Sequence, residues 1–142
     1  MSDVEHNKAV IRRFYEEALN EGRFEVLDEI VADDARDNAR PVDGGLSAGR
    51  AGFVQHLKVV HETVGGVKAT VTDLIAEGDR VVVFWTIEGV HTGNLFGVEA
   101  TGRTFKGHSV SWVTLRDGRI VEYSVLPDRL GIAAQLGGSI AS

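Results

Sequence analysis

The spacing of apolar residues changes once along this chain, at Gly65-Gly66, and that change restricts the fold more than any other feature. Before it, apolar residues recur about every 3.6 residues, as in amphipathic helices; after it, they alternate with polar residues, as in half-buried strands. A run of helices followed by a run of strands is typical of an α+β fold, in which the helices pack against one face of an antiparallel sheet. This change in apolar spacing therefore predicts an α+β fold.

The first half divides into three amphipathic segments. Ser2 begins an S-x-x-E capping box, and Gly22 stands where the first helix is expected to end. A short second helix is predicted over 24–31 and a third over about 50–64. The intervening residues, 33–49, have no apolar period and are expected to form a loop. Three N-terminal helices are therefore predicted.

The second half predicts four consecutive strands, over 67–72, 80–92, 104–116 and 119–126. Asp117-Gly118 is a strong hairpin signal, because both central residues of a type I′ turn need positive φ. Gly89 and Gly107 lie inside strands, where glycine often marks a bend or a bulge. We expect a curved sheet that encloses a pocket together with the helices.

Composition excludes several classes of protein. The 142 residues suffice for one domain, 1–142, with about 1–3 and 137–142 frayed. The chain has no cysteine, and His56 and His61 flank the third helix's apolar stripe on opposite sides, so no metal site is expected. A net charge of −6 without a basic cluster argues against nucleic-acid binding. No apolar run approaches a membrane span and no secretory signal is evident, which predicts a cytoplasmic protein.

Strand alternation places several chemically useful side chains on the face turned toward the helices. Trp85 and His91 share that face of one strand, and Ser109 and Ser111 share it on the next. The two serines either bond the backbone or each other, or they line a partly wet pocket. Tyr123, on the last strand, is either a hydrogen-bond donor to a ligand or a core aromatic residue.

The opposite face of the sheet, called here the outer face, carries Phe84, Val110 and Trp112. Exposed aromatic residues on a sheet face usually indicate a partner surface, so we expect a homodimer through this face.

Three stretches of the sequence resemble a known family: VIRRFYEEALNEGRFEVLDEIV, GVHTGNLFGVEATGRTF and DGRIVEYSVLPDRLGIAAQLG. They are similar to the SnoaL-like polyketide cyclases of the nuclear-transport-factor-2-like superfamily. The resemblance implies a cone-shaped α+β barrel with an internal pocket, usually dimeric. It also implies an apolar, oxygenated, polyketide-like substrate and no metal or organic cofactor.

The resemblance is incomplete where the family's chemistry lies. Members that close rings by aldol chemistry carry an essential aspartate two residues before the last strand's proline, and here that residue is Val125. Their partner histidine falls on Ser111, and Asn38 falls where members carry a pocket histidine or asparagine. Asp128 matches an aspartate that anchors the C-terminal turn. Valine cannot exchange a proton, so position 125 cannot supply the acid or base.

We therefore expect an enzyme that catalyses cyclisation, isomerisation or (de)hydration through other groups. The candidate catalytic residues are Tyr123, His91 and His56. The candidate substrate-binding residues are Tyr15, Asn38, Trp85, Ser109, Ser111 and Val125. Two alternatives stay open: a non-catalytic protein that binds or carries a small molecule, and a cofactor-free hydroxylase.

Overall fold

The helices of this computed structural model, which describes residues 3–39 and 49–137, lie mostly in the first half of the chain. The predicted cap at Ser2 and the frayed tail beyond 137 lie outside the described residues. Helix α1 (Asp3–Arg13) continues into a π-helical segment (Phe14–Asn20), and a 3₁₀ turn (Phe24–Val26) leads into α2 (Leu27–Ile30); α3 spans Arg50–Thr63 and α4 spans Arg129–Gln135.

The strands of the described residues form one five-stranded sheet in the order β1-β5-β4-β3-β2. Their bounds are Val31–Asp37 for β1, Val64–Glu77 for β2, Arg80–His91 for β3, Thr104–Arg116 for β4 and Arg119–Pro127 for β5. Strands β2 to β5 form the predicted antiparallel meander, and β1 pairs with β5 in parallel. The α+β fold class is confirmed, with a curved sheet that is not closed.

Strand β1 corrects one prediction, because residues 33–37 were expected to belong to a loop. This short strand lacks a clean alternation: Val31 and Ala32 are both buried, and Asp33 and Asp34 are both exposed. Its conformation comes from pairing with β5, a partner about ninety residues later in the chain. The sheet is therefore mixed rather than purely antiparallel.

The alternation along β4 is confirmed, because its buried positions form one uninterrupted row: Phe105, Gly107, Ser109, Ser111, Val113 and Leu115. On β5 the alternation breaks. Leu115 pairs with Ile120 but Thr114 pairs with Glu122, so Val121 is an extra residue in the ladder. This bulge turns Ile120 toward the core, where it is fully buried, whereas strict alternation with Tyr123 would place it on the outer face.

The C-terminal helix α4 packs against β4 from the inner face. Asp128 caps it, since its Oδ1 accepts a hydrogen bond from the backbone N of Gly131 at 2.9 Å. A Cβ at Gly107 would collide with the side chain of Ile132, so this glycine allows close packing of helix on strand. At the other end of α4, the Gln135 side chain bonds both the backbone N and the backbone O of Lys106, at 3.0 and 2.8 Å.

The main hydrophobic core lies between the helices and the inner face of the sheet. None of the helices among the described residues is long and apolar enough to cross a membrane.

Candidate active site

Three hydroxyl groups meet in the core, and all three belong to residues predicted for the site. The hydroxyl of Tyr15 lies 2.8 Å from Ser111 Oγ and 3.0 Å from the hydroxyl of Tyr123. Ser111 Oγ and the Tyr123 hydroxyl are also 3.0 Å apart. The indole Nε1 of Trp85 donates to Ser111 Oγ at 2.9 Å. We call these four residues the hydroxyl cluster.

The hydrogen bonds of the hydroxyl cluster run in one direction around a closed ring. Tyr15 donates its single hydroxyl hydrogen to Ser111. Its contact with Tyr123 therefore has Tyr123 as donor, and Ser111 in turn donates to Tyr123. Each hydroxyl hydrogen is used within the ring. Tyr123 can donate to a ligand only if it releases Tyr15.

The fold assembles this cluster around Ser111. In the sheet, Ser109 pairs with Trp85 and Val113 pairs with Tyr123, so Ser111 has both aromatic residues as diagonal neighbours. Tyr15 reaches the same point from the π-helical segment, and its ring lies 4.8 Å from that of Trp85 between centroids. Its exposed fraction is 0%, and that of Ser111 is also 0%. The cluster is shielded from water.

Burial determines the ionisation of the two tyrosines. It raises the pKa of Tyr123 to about 12; the hydrogen bonds with Ser111 and Tyr15 oppose this effect, and the negative charge of Asp37 adds to it. Burial also raises the pKa of Tyr15 well above its usual value. Both phenols are thus neutral near pH 7 and are not bases there.

The two positions to which the family resemblance assigns an acid–base pair lie directly opposite each other in the sheet. Val125 on β5 pairs directly with Ser111 on β4. Val125 is half-buried and packs against the core. A carboxylate at 125 and an imidazole at 111 would be in contact. In this chain, an apolar side chain stands at 125 and a hydroxyl at 111.

A different imidazole–carboxylate pair borders the cluster. His56 Nδ1 on α3 lies 2.8 Å from Asp37 Oδ2 at the end of β1. The side chain of Asp37 is 3% exposed and that of His56 is 22% exposed. Asp37 Oδ1 accepts a hydrogen bond from the backbone N of Ala39 at 2.9 Å. The carboxylate is therefore held by two donors, and the imidazole is reachable from outside.

Register explains why this pair adjoins Tyr123. Asp37 is the direct partner of Tyr123 in the parallel β1–β5 ladder, and the backbone N of Asn38 donates to the Tyr123 carbonyl at 2.8 Å. On α3, Phe53 precedes His56 by three residues, and its ring lies 6.2 Å from the Tyr123 ring between centroids. Sequence reasoning missed Asp37 because the segment was predicted as a loop. The one available signal was a histidine beside the apolar stripe of α3, which needs a polar partner.

The other predicted residues are held elsewhere. His91 is completely buried; its Nδ1 accepts from the backbone N of Thr101 at 3.1 Å and its Nε2 lies 3.1 Å from the Val98 carbonyl. The Asn38 side chain bonds Glu122 and Ser124, which alternate with Tyr123 on β5.

Ser109 is also placed by the fold, buried at 5% exposure opposite Trp85. A surface depression of about 410 Å³ lies between α1 and β2 and is lined by none of the predicted residues; Glu5, Lys8, Ala9, Arg12, Thr72, Asp73 and Leu74 surround it. Among the predicted residues, the structure thus brings together Tyr15, Trp85, Ser111 and Tyr123, with Val125 and His56 at their border.

Comparison with known proteins agrees with this architecture. Residues 9–136 match the model of the SnoaL-like polyketide cyclase family. The chain is 30% identical over 128 residues to the nogalonic acid methyl ester cyclase of Streptomyces nogalater, which covers 84% of this chain and 90% of that protein.

Two solved structures have the same fold over nearly their whole length. TsrD from Streptomyces laurentii superposes with a TM-score of 0.86 at 26% identity, covering 98% of this chain and 100% of TsrD. Wild-type IdmH from Streptomyces antibioticus superposes with a TM-score of 0.78 at 31% identity, covering 92% of this chain and 98% of IdmH. The chain therefore belongs to the SnoaL-like polyketide cyclase family.

Proposed function

We propose that this protein is a cofactor-independent enzyme that closes a ring in an apolar, oxygenated polyketide by an intramolecular aldol reaction. The observation that carries the proposal is the half-buried imidazole of His56 beside the hydroxyl cluster. An imidazole is the side chain that most often accepts and returns a proton in catalysis. A protein that only shelters an apolar ligand does not require one at this place.

The proposed reaction balances within one substrate molecule. A base removes a proton from a carbon next to a carbonyl group, and the C–H electron pair becomes the enolate. The enolate carbon attacks a second carbonyl carbon of the same molecule, so that a C–C bond forms and the C=O π bond breaks. The resulting alkoxide takes the proton from the conjugate acid of the base. The product is an isomer of the substrate, and neither oxidant nor reductant is consumed.

His56 suits the role of base better than the other catalytic candidates. The phenol of Tyr123 is neutral near pH 7 because burial raises its pKa to about 12. Both ring nitrogens of His91 are engaged, and its side chain is completely buried. Val125 has no group that takes a proton. The role that remains for Tyr123 is to support the site, or to donate to a substrate oxygen after releasing Tyr15.

The substrate class is inferred from the relative that acts on a polyketide methyl ester. We propose the same class for this chain, with nogalonic acid methyl ester as the first compound to test. The test incubates purified protein with this ester and separates the products by chromatography with mass detection. A ring closure yields a new compound of unchanged mass, and His56→Gln is expected to lower its rate at least about a hundredfold.

The other outcomes of this assay identify the alternatives. Ester that stays bound and is recovered unchanged indicates a carrier. The valine at position 125, which has no carboxylate, is compatible with that role. A product heavier by one oxygen atom indicates a hydroxylase. A product that is lighter by one water molecule and lacks the new ring indicates a dehydratase, since an aldol ring closure followed by loss of water gives the same mass. Any of these three results contradicts the proposed ring closure.

We also propose that two copies associate through the outer face of the sheet. Trp112 is 48% exposed and Phe84 is 37% exposed there, which is unusual for large aromatic residues on a sheet. The cytoplasmic location stays a prediction.

A further inference from the structure

We propose that Asp37 is a positioning residue that fixes the proton of His56 on Nδ1, so that Nε2 is the proton acceptor of the site. In this view the imidazole–carboxylate pair of β1 and α3 takes over from the carboxylate that is absent at Val125. The inference rests on the proposed function and names the residue that determines which nitrogen of His56 accepts the proton.

The hydrogen bonds of Asp37 determine which nitrogen of His56 carries the proton. Carboxylate oxygens accept hydrogen bonds, and Oδ2 lies 2.8 Å from His56 Nδ1. Nδ1 is thus the donor, and a neutral imidazole then presents an unprotonated Nε2. Oδ1 is occupied by the backbone N of Ala39 at 2.9 Å, which prevents the carboxylate from rotating away. Within the part of the chain that the structure describes, Nε2 has no hydrogen-bond partner.

The location of the pair fits a replacement of the absent carboxylate. Tyr123 pairs with Asp37 across one edge of β5, and Val125 stands two residues further on the same face of that strand. Asp37 and Val125 are therefore both neighbours of Tyr123, the first across the β1–β5 ladder and the second two residues along β5. The side chain of Asp37 is 3% exposed, and a carboxylate so deeply buried needs a function or a strong partner to offset its loss of hydration.

Asp37→Asn is the variant that separates positioning from packing. The asparagine has the same shape, and its Oδ1 retains the hydrogen bond from Ala39. Its Nδ2 then faces His56 Nδ1 and donates to it, which moves the imidazole proton to Nε2. The base is thereby removed without removing the imidazole. Asp34→Asn is the matched control, because Asp34 lies on the same strand and its side chain is 81% exposed.

The first readout is the nitrogen-15 spectrum of the histidine rings at pH 7.5, where the two tautomers have different ring-nitrogen shifts. The His56 signals are assigned as those absent from His56→Gln. We expect the Nδ1–H tautomer in the wild type and in Asp34→Asn, and the Nε2–H tautomer in Asp37→Asn. A wild-type His56 with its proton on Nε2, or a tautomer that Asp37→Asn does not change, would overturn the inference.

The second readout is turnover. Asp37→Asn is expected to lower kcat by about 10² to 10⁴ with KM changed little, because it alters proton transfer rather than binding. Normal kcat in a variant whose tautomer has switched contradicts the inference and leaves the proposed function intact. A wild-type protein that shows the expected tautomers but converts no polyketide contradicts the proposed function instead.

Discussion

Both tyrosines of the chain belong to the hydroxyl cluster, since the sequence contains only two. Every phenol signal of the protein therefore comes from the buried ring of Tyr15, Ser111 and Tyr123. Within the described part of the chain, each of the three hydroxyls and the indole nitrogen has a hydrogen-bond partner. This is the arrangement in which a buried polar group costs little, because each hydrogen bond to water is replaced by one within the protein.

The first prediction concerns the alkaline titration of these tyrosines. The pKa of Tyr123 is about 12 in the folded protein, against about 10 when unfolded. The folded state therefore binds more protons between these values. The stability that this provides, about 2–3 kcal/mol, is fully present below about pH 10 and is lost as the pH rises through about 12. Tyr15 acts in the same direction.

Ultraviolet absorbance of phenolate checks this prediction. We expect almost no phenolate in the folded protein at about pH 10.5, and about three quarters of the full two-tyrosine signal at the same pH in concentrated urea, because the pKa of an unfolded tyrosine is about 10. Below about pH 11, the signal should appear only together with loss of the folded circular-dichroism spectrum. Phenolate at about pH 10 in a protein that is still folded would show that the ring is open to water.

Helix α4 and strand β4 make an especially close contact. Gly107 lies inside β4 where a Cβ would collide with Ile132 of α4. The glycine was expected to bend the sheet, and the structure adds a packing role. Since Asp128 caps α4 just after β5 ends, this helix is held at its start by a hydrogen bond and along its side by this contact.

The second prediction tests that contact by adding one methyl group. Gly107→Ala is expected to destabilise the protein by about 1–3 kcal/mol, because the new methyl overfills a packed interface. Urea unfolding of both single variants and of the double variant with Ile132→Ala forms a cycle. The double variant should lose less stability than the sum of the single variants, because the smaller residue at 132 makes room. Strict additivity would show that the cost arises from the β4 backbone instead.

Elements with strong local signals could be predicted from sequence, and those made by distant pairing could not. Helix α3 was expected over about 50–64 and spans Arg50–Thr63. The hairpin at Asp117-Gly118 has the positive φ values that its residues predicted, 53° and 76°. Strand β1 has no such local signal because a parallel edge strand depends on its partner. Asp37 lies on β1, so the contact between its carboxylate and His56 could not be predicted without predicting that strand.

At the scale of the whole molecule, the outer face is the proposed dimer interface. The third prediction is a dimer at micromolar concentration in sedimentation velocity. Trp112→Asp is expected to shift the protein to a monomer, because a carboxylate would have to be buried between the two copies. Leu130→Asp is the control, since Leu130 is 65% exposed but lies on α4. A wild-type monomer at this concentration would contradict the proposed interface.

Gln135 bears on how the molecule can associate. Strand β5 ends opposite Ser109, so no strand among the described residues lies beside the backbone of β4 around Lys106 on that edge. The amide of Gln135 bonds both polar groups of the Lys106 backbone and so imitates one residue of a further strand. An open strand edge is a template for edge-to-edge aggregation, and a side-chain amide on it blocks that template. Gln135 therefore occupies the part of this edge where the strand of another molecule could otherwise pair.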